Sequence, residues 1–212
     1  MHFVLLWITS TRDSLTAQLI LKKMKKILSI LVLNLIITSN VMAYEEANYE
    51  VVKQNKVYEI RKYSDRLAIE TVISNQDSSF RKLFKYISGH NENKEEISMT
   101  TPVTQIEKKG SMTMQFYLPS KFNKENTPAP SNSDIKILNI DEGYYAVIRY
   151  SGRASDKNFT KHKSILENEL KKDNISILSP PIKATYDGPF TLPMNRRNEA
   201  MFEINIKNKG ER

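Results

Sequence analysis

Residues 80–103 set the terms for the fold. Phe80, Leu83, Phe84 and Ile87 fall at i, i+3, i+4 and i+7, one face of an α-helix, with Arg81, Lys82 and Lys85 opposite. Gly89 follows where a helix C-terminus favours a residue free to take positive φ. After the charged run Glu92–Glu96, Ile97, Met99, Thr101 and Val103 alternate with Ser98, Thr100 and Pro102 as in a β-strand. A helix carrying two large aromatic rings thus turns straight back onto a strand. Such a unit is either a helix–sheet core or one wall of an apolar groove.

The rest of the chain extends this pattern. Tyr49–Lys53 and Val57–Tyr63 read as a hairpin about Gln54-Asn55-Lys56, and Leu67–Ser74 as a third strand. Asp77 or a neighbouring serine is the expected cap of the helix. Ile97–Glu107 and Met112–Leu118 follow as strands joined by Lys108-Lys109-Gly110, then a Pro-, Asn- and Ser-rich loop over residues 119–134. Ile135–Ile140 and Tyr144–Tyr150 read as a second hairpin about Asp141-Glu142-Gly143. Ser155–Lys172 reads as a helix with Phe159, Ile165, Leu166 and Leu170 inward. Ile175–Leu178, Ile182–Tyr186 and Ala200–Ile206 complete the strands. Each half is strands, one helix, strands, an order that reads as internal duplication and predicts an α+β fold with a mostly antiparallel sheet.

The N-terminus is of another kind. Met24-Lys25-Lys26 precedes Ile27–Ile37, an apolar run of 11 residues, and small Ala43 ends the segment. A basic start, a short apolar run and a small residue predict a secretory signal peptide over residues 24–43, cleaved before Tyr44. A transmembrane helix needs about 20 apolar residues. Residues 1–23 read as an upstream extension, and Trp7, the chain's single tryptophan, lies in it. The expected mature domain is residues 44–212, exported to the periplasm or secreted, with no membrane span after cleavage. Of 32 basic and 24 acidic residues, five and one fall before Tyr44, so the remainder carries 27 and 23, a net of +4. That balance does not specify a nucleic-acid partner, and Arg196-Arg197 is an isolated pair rather than a basic stripe.

The chain has no cysteine, which excludes disulfides, thiolate metal sites and a cysteine nucleophile. It has no Gly-x-Ser-x-Gly elbow, phosphate-cradling glycine loop or His-Glu-x-x-His helix, so no catalytic or metal residue is assigned and no enzyme is expected. Beyond residue 43 the histidines are His90, just past the first helix, and His162, on the inward side of the second. Neither stands out as a metal ligand, and Met99, Met112 and Met114 sit in strands where methionine fills core gaps.

Several longer motifs carry a resemblance. Tyr-Glu-Val-Val at 49–52, Tyr-Glu-Ile-Arg-Lys-Tyr at 58–63, residues 80–91, and Ile-Ser-Met-Thr-Thr-Pro-Val at 97–103 together resemble the SOUL haem-binding family. Tyr-Asp-Gly-Pro-Phe-Thr-Leu-Pro at 186–193 and Arg-Arg-Asn-Glu at 196–199 complete the likeness. It implies a distorted antiparallel β-barrel flanked by two helices, and an apolar groove for haem or a related tetrapyrrole, bound non-covalently. Carried over by position, the groove is lined by Phe80, Phe84 and Lys85, with Asp77 beside them, and by Phe190, Thr191 and Leu192 close to Tyr186. A porphyrin is a flat apolar disc whose two carboxylates want a cation, which suits phenyl rings and Lys85. A carrier or buffer of tetrapyrrole is the implied function, and a ligand-free protein- or membrane-interaction module on the same fold is the alternative.

Overall fold

The computed structural model describes residues 21–26 and 44–206. Residues 21–26 are helical. The remainder of the expected leader, with its apolar run and cleavage site, lies outside the described residues. Residues 1–43 and 44–212 form separate compact units, and the second holds its own hydrophobic clusters.

Ten strands of that unit form one curled sheet. In chain order β2 (Tyr49–Gln54), β3 (Glu59–Tyr63) and β4 (Arg66–Val72) precede helix α1 (Gln76–Ile87). β6 (Val103–Lys108), β7 (Ser111–Tyr117), β8 (Lys136–Ile140) and β9 (Gly143–Tyr150) lead to α2 (Asp156–Lys172). β10 (Ser176–Ile177), β11 (Ile182–Thr185) and β12 (Asn198–Asn205) finish the chain. Across the sheet the order is β2-β3-β9-β12-β11-β6-β7-β4-β8, with β10 beside β12 and every pair antiparallel. β1 (Glu45–Glu46) and β5 (Thr100–Thr101) pair separately, in parallel. The result is the expected α+β architecture, a distorted barrel flanked by helices.

The strand order displays the duplication. Read outward from the β6·β11 pair, β7, β4 and β8 on one side correspond to β12, β9 and β3 on the other. The halves also exchange a strand, since β3 pairs with β9 and β8 with β4. The second hairpin expected from Asp141-Glu142-Gly143 therefore does not form. Its flanking strands part at that turn, where the Glu142 N–H donates to Asp65 Oδ1 at 2.5 Å, tying together the two crossing connections.

Both helices lie on one face. Paired residues on neighbouring strands share a face, so Ile69, Phe116, Val103, Thr185, Asn198 and Tyr150 make one row across the sheet. Under α1, Leu83, Tyr86 and Ile87 pack with Leu67, Ile69, Met114 and Phe116. Under α2, Leu166 and Leu170 pack with Ala146, Ile148, Ala200 and Phe202. Asn75, not Asp77, caps α1, its side chain accepting from the Asp77 and Ser78 N–H groups. Ser155 caps α2. Ile165 and Met112, expected inward, are exposed. The strand expected from Ile97 is interrupted at Pro102, although Ile97 remains core.

The opposite face is buried as well, which the alternation of β7 and β12 does not announce. Thr113, Gln115 and Tyr117 are enclosed there, and so is Met201. Glu70 Oε2 accepts from Lys108 Nζ, Thr113 Oγ1 and Gln115 Nε2 at 2.7, 3.1 and 2.7 Å. At the other end Glu199, fully buried, takes two bonds from Arg61 at 2.9 and 3.1 Å, one from Arg197 Nε at 2.9 Å and one from the Tyr186 hydroxyl at 2.7 Å. Burial alone would raise the Glu199 pKa; Arg61, Arg197 and Tyr186 overcome it and hold the carboxyl below its ordinary value. Arg197 continues to Glu46 through two bonds of 2.8 Å, anchoring the strap that begins the domain.

A group with a depressed folded pKa stabilises above its unfolded pKa, and that stability disappears as pH falls through the folded value. Glu199→Gln should therefore destabilise at pH 7 by about 3 kcal/mol, because buried Arg61 loses its two-point carboxylate partner while Glu59 and Glu46 still pair Arg61 and Arg197. Below the ordinary carboxylate range the gap to wild type should narrow. Urea unfolding at pH 7 and pH 3 measures both limbs; a gap that stays constant would show that the carboxylate charge is not what stabilises this face.

Candidate functional site

The helix face contains an opening that follows from strand counting. α1 packs on β4 and β7, and α2 on β9 and β12, which leaves β6 and β11 between them. The helix axes are thus four strand spacings apart, about 19 Å along the sheet, whereas packed helices lie about 8–10 Å apart. A slot about 10 Å wide remains. Its floor is Val103, Gln105 and Thr185, all half-buried, and Lys183, whose Nζ reaches Asp156 Oδ1 at the start of α2 at 2.8 Å.

Phe80 and Phe84 stand on the α1 side of this slot, 38% and 47% exposed. Their rings stack at 6.1 Å with 13° between planes, and Phe80 meets Phe116 edge-on at 5.1 Å. α1 satisfies its core through Leu83, Tyr86 and Ile87 instead, and the Tyr86 hydroxyl donates to the Pro128 carbonyl at 2.7 Å. The two phenyl rings are therefore not needed to seat the helix. Lys85 and Asp77 are exposed on the same helix.

The other expected residues divide into two environments. Thr185 is two strands from Phe116 in the same cross-sheet row, and the loop that leaves β11 there carries Phe190, Thr191 and Leu192. These three line an open concavity of about 600 Å³ together with Pro193, Arg153 and Arg196. Phe80, Phe84 and Lys85 are not in its lining. Tyr186 is on the other side: one residue past Thr185, it points to the helix-free face and bonds Glu199. Alternation along the strand end takes it out of the groove.

Arg153 and Arg196 are the groove's cations, and neither entered the expected set. Of the isolated pair Arg196-Arg197, it is Arg197 that forms the ion pairs. Arg196 instead braces the loop, Nε donating to the Thr191 carbonyl at 2.8 Å and Nη2 to that of Pro189 at 2.6 Å. Arg153, directly after Gly152 in a turn, has no periodic signal to mark it. The histidines are engaged or remote: His162 stacks on Tyr150 at 4.1 Å with Nδ1 2.8 Å from the Asn158 carbonyl oxygen, and His90 is exposed past α1.

The helix-free face offers less room. Arg66 is enclosed by the rings of Tyr63, Tyr117 and Tyr145 at 4.5, 5.1 and 5.3 Å. Beside it lies a cavity of about 10 Å³, space for one water. A second cavity of about 160 Å³, lined by Arg61, Val147 and Arg149 beside the Asn55 turn, is polar, and the apolar aromatic surface is on the helix face.

Comparison with known proteins identifies the family. The SOUL heme-binding protein family matches residues 44–203. The chain belongs to that family. Heme-binding protein 2 of Mus musculus is 28% identical over 183 residues, covering 77% of this chain and 88% of that protein. Heme-binding protein 2 of Homo sapiens is 30% identical over 157 residues, covering 67% and 75%. Among solved structures, the C-terminal domain of EcmrR superposes with a TM-score of 0.54 at 10% identity, covering 74% of this chain and 98% of that one. A hydrolase from Listeria innocua does so at 0.53 and 8% identity, covering 73% and 94%. At such identities these two show the fold alone.

The two roles of α1 separate by mutation. Leu83→Ala, at a position with no exposure, should cost about 2–5 kcal/mol, whereas Phe84→Ala should cost about 1 kcal/mol or less. Thermal or urea unfolding checks the pair; equal losses would mean that Phe84 is structural core.

Proposed function

We propose that this SOUL-family protein binds haem or a related flat tetrapyrrole non-covalently in the slot between its helices, and that it is an exported carrier or buffer rather than an enzyme. The observation that carries the reading is the stacked Phe80–Phe84 pair, half exposed on a helix that is already seated without it. Family membership and the names of the two mammalian relatives support the ligand class. Export rests on the basic, apolar and small-residue pattern of residues 24–43.

The residues present fit such a guest in kind. Phe80 and Phe84 supply flat apolar surface, and Phe190 and Leu192 are exposed apolar side chains on the loop that leaves β11. Lys85 on the α1 side and Arg153 on the loop side are exposed cations suited to carboxylates. Haem would bring an iron centre when bound, and His162 is committed to Tyr150 and Asn158. Binding then rests on stacking, burial and ion pairing, and the guest stays exchangeable.

Titrating the Tyr44–Arg212 protein with hemin should give a saturable Soret shift at low micromolar concentration. Phe84→Ala should weaken binding about tenfold through loss of ring contact, and bound hemin should pass to apomyoglobin. Absence of a saturable shift would favour the interaction module without a ligand.

A further inference from the structure

The loop from Gly188 to Met194 has the opposite habit to the rest of the surface. Phe190 is 98% exposed, Met194 74% and Leu192 60%. They alternate at i, i+2 and i+4, with Pro189 and Pro193 between and beside them. The backbone beneath them is pinned. Arg196 holds the carbonyls of Pro189 and Thr191, the Asn195 N–H donates to the Leu192 carbonyl at 2.9 Å, and the Gly152 N–H donates to the Pro193 carbonyl at 2.8 Å. Three large apolar side chains are thus held outward by a braced loop, in water, where each is unfavourable.

Cations predominate around the loop. Arg153 and Arg196 share its concavity, and Lys157 and Lys161 follow on the exposed side of α2. Among the described residues none of the four pairs with a carboxylate. Of the two neighbouring acids, Asp156 is paired with Lys183, and Asp187 accepts from the Arg197 backbone N–H and keeps its charge, so the shoulder carries four cations against one unpaired carboxylate. The first turn of α2 adds the positive end of a helix dipole to the same edge. An apolar tip with a cationic shoulder matches the depth profile of an anionic bilayer, acyl chains below and phosphates above.

We propose that the Gly188–Met194 loop docks this protein on an anionic lipid surface, with Phe190, Leu192 and Met194 entering the interface and Arg153 and Lys157 meeting lipid phosphates. The inference stands apart from the haem reading, since docking needs no tetrapyrrole. It also gives the open groove a neighbour from which a sparingly soluble guest can be taken.

The chain offers a clean probe. Trp7 is the sole tryptophan and lies before Tyr44, so Phe190→Trp in the Tyr44–Arg212 protein creates a single reporter at the loop tip. That unit carries its own core and lacks the apolar leader, which would bind vesicles by itself. Without hemin, vesicles of phosphatidylglycerol and phosphatidylcholine should shift the emission to the blue, and lipids brominated along the acyl chain should quench it. Pure phosphatidylcholine vesicles should bind about tenfold more weakly. In the same background Arg153→Gln with Lys157→Gln should remove most of that preference. Leu192→Ser with Met194→Ser should lower partitioning about tenfold or more without changing the melting temperature, since both side chains are exposed in the folded state. No shift with anionic vesicles, or an equal response to neutral ones, would overturn the proposal. So would a blue shift that grows with protein concentration in the absence of lipid, which would assign the loop to a second copy of the chain.

Discussion

β6 and β11 pair through Val103–Thr185, Thr104–Ala184, Gln105–Lys183 and Ile106–Ile182, and these contacts join two half-sheets that each carry one helix. Because neither helix packs on these two strands, the axes cannot come together unless the pairing is lost. The distance between the helices is therefore a property of backbone hydrogen bonds, indifferent to which side chains face the gap. That indifference matters for function. Side chains at Phe80, Phe84, Phe190 and Leu192 are free of any duty to close the core, and can be chosen for what they meet in solution.

The opposite face supports this by being full. The exchange of β3 and β8 between the halves brings Arg61 onto the same face as Glu199, 138 positions away in sequence, and the strap at Glu46 closes over Arg197. A fully hydrogen-bonded charge cluster is a poor source of stability but a demanding one in geometry, since each partner left alone is costly. It fixes where β12 begins. Arg197 faces the cluster while Arg196, its neighbour, braces the Pro189–Thr191 backbone, so the anchored strand start and the shape of the loop are adjacent consequences of one segment.

Elements with a strong period were legible in the sequence. Both helices, the first hairpin and the strands about Met114 and Phe202 emerge where the pattern puts them. The second hairpin was not, because Asp141-Glu142-Gly143 is as good a turn between parting strands as between paired ones, and only long-range pairing decides. Asn75 displaced Asp77 as cap because capping depends on where the backbone turns extended, which period alone locates to within a turn. Tyr186 fell on the wrong face for a related reason: a motif places residues in order, while the last residue of a strand sets their side. Met201 and Tyr117 alternate with the residues under the helices and are buried all the same, because curling closes both sides of the sheet.

Whether the slot or the loop is the more informative feature turns on what each requires of water. Phe80 and Phe84 shelter each other and lean on Phe116, so their exposure is partial and is relieved by any flat guest. Phe190 leans on nothing, and a guest lying in the slot would cover at most one side of it. A ring exposed on all sides calls for surroundings that are apolar on all sides, and a bilayer interface supplies them where a planar ligand does not. The slot alone is sufficient for a binding protein in solution. The braced, outward loop beside it is what distinguishes a protein that works at a boundary between water and lipid.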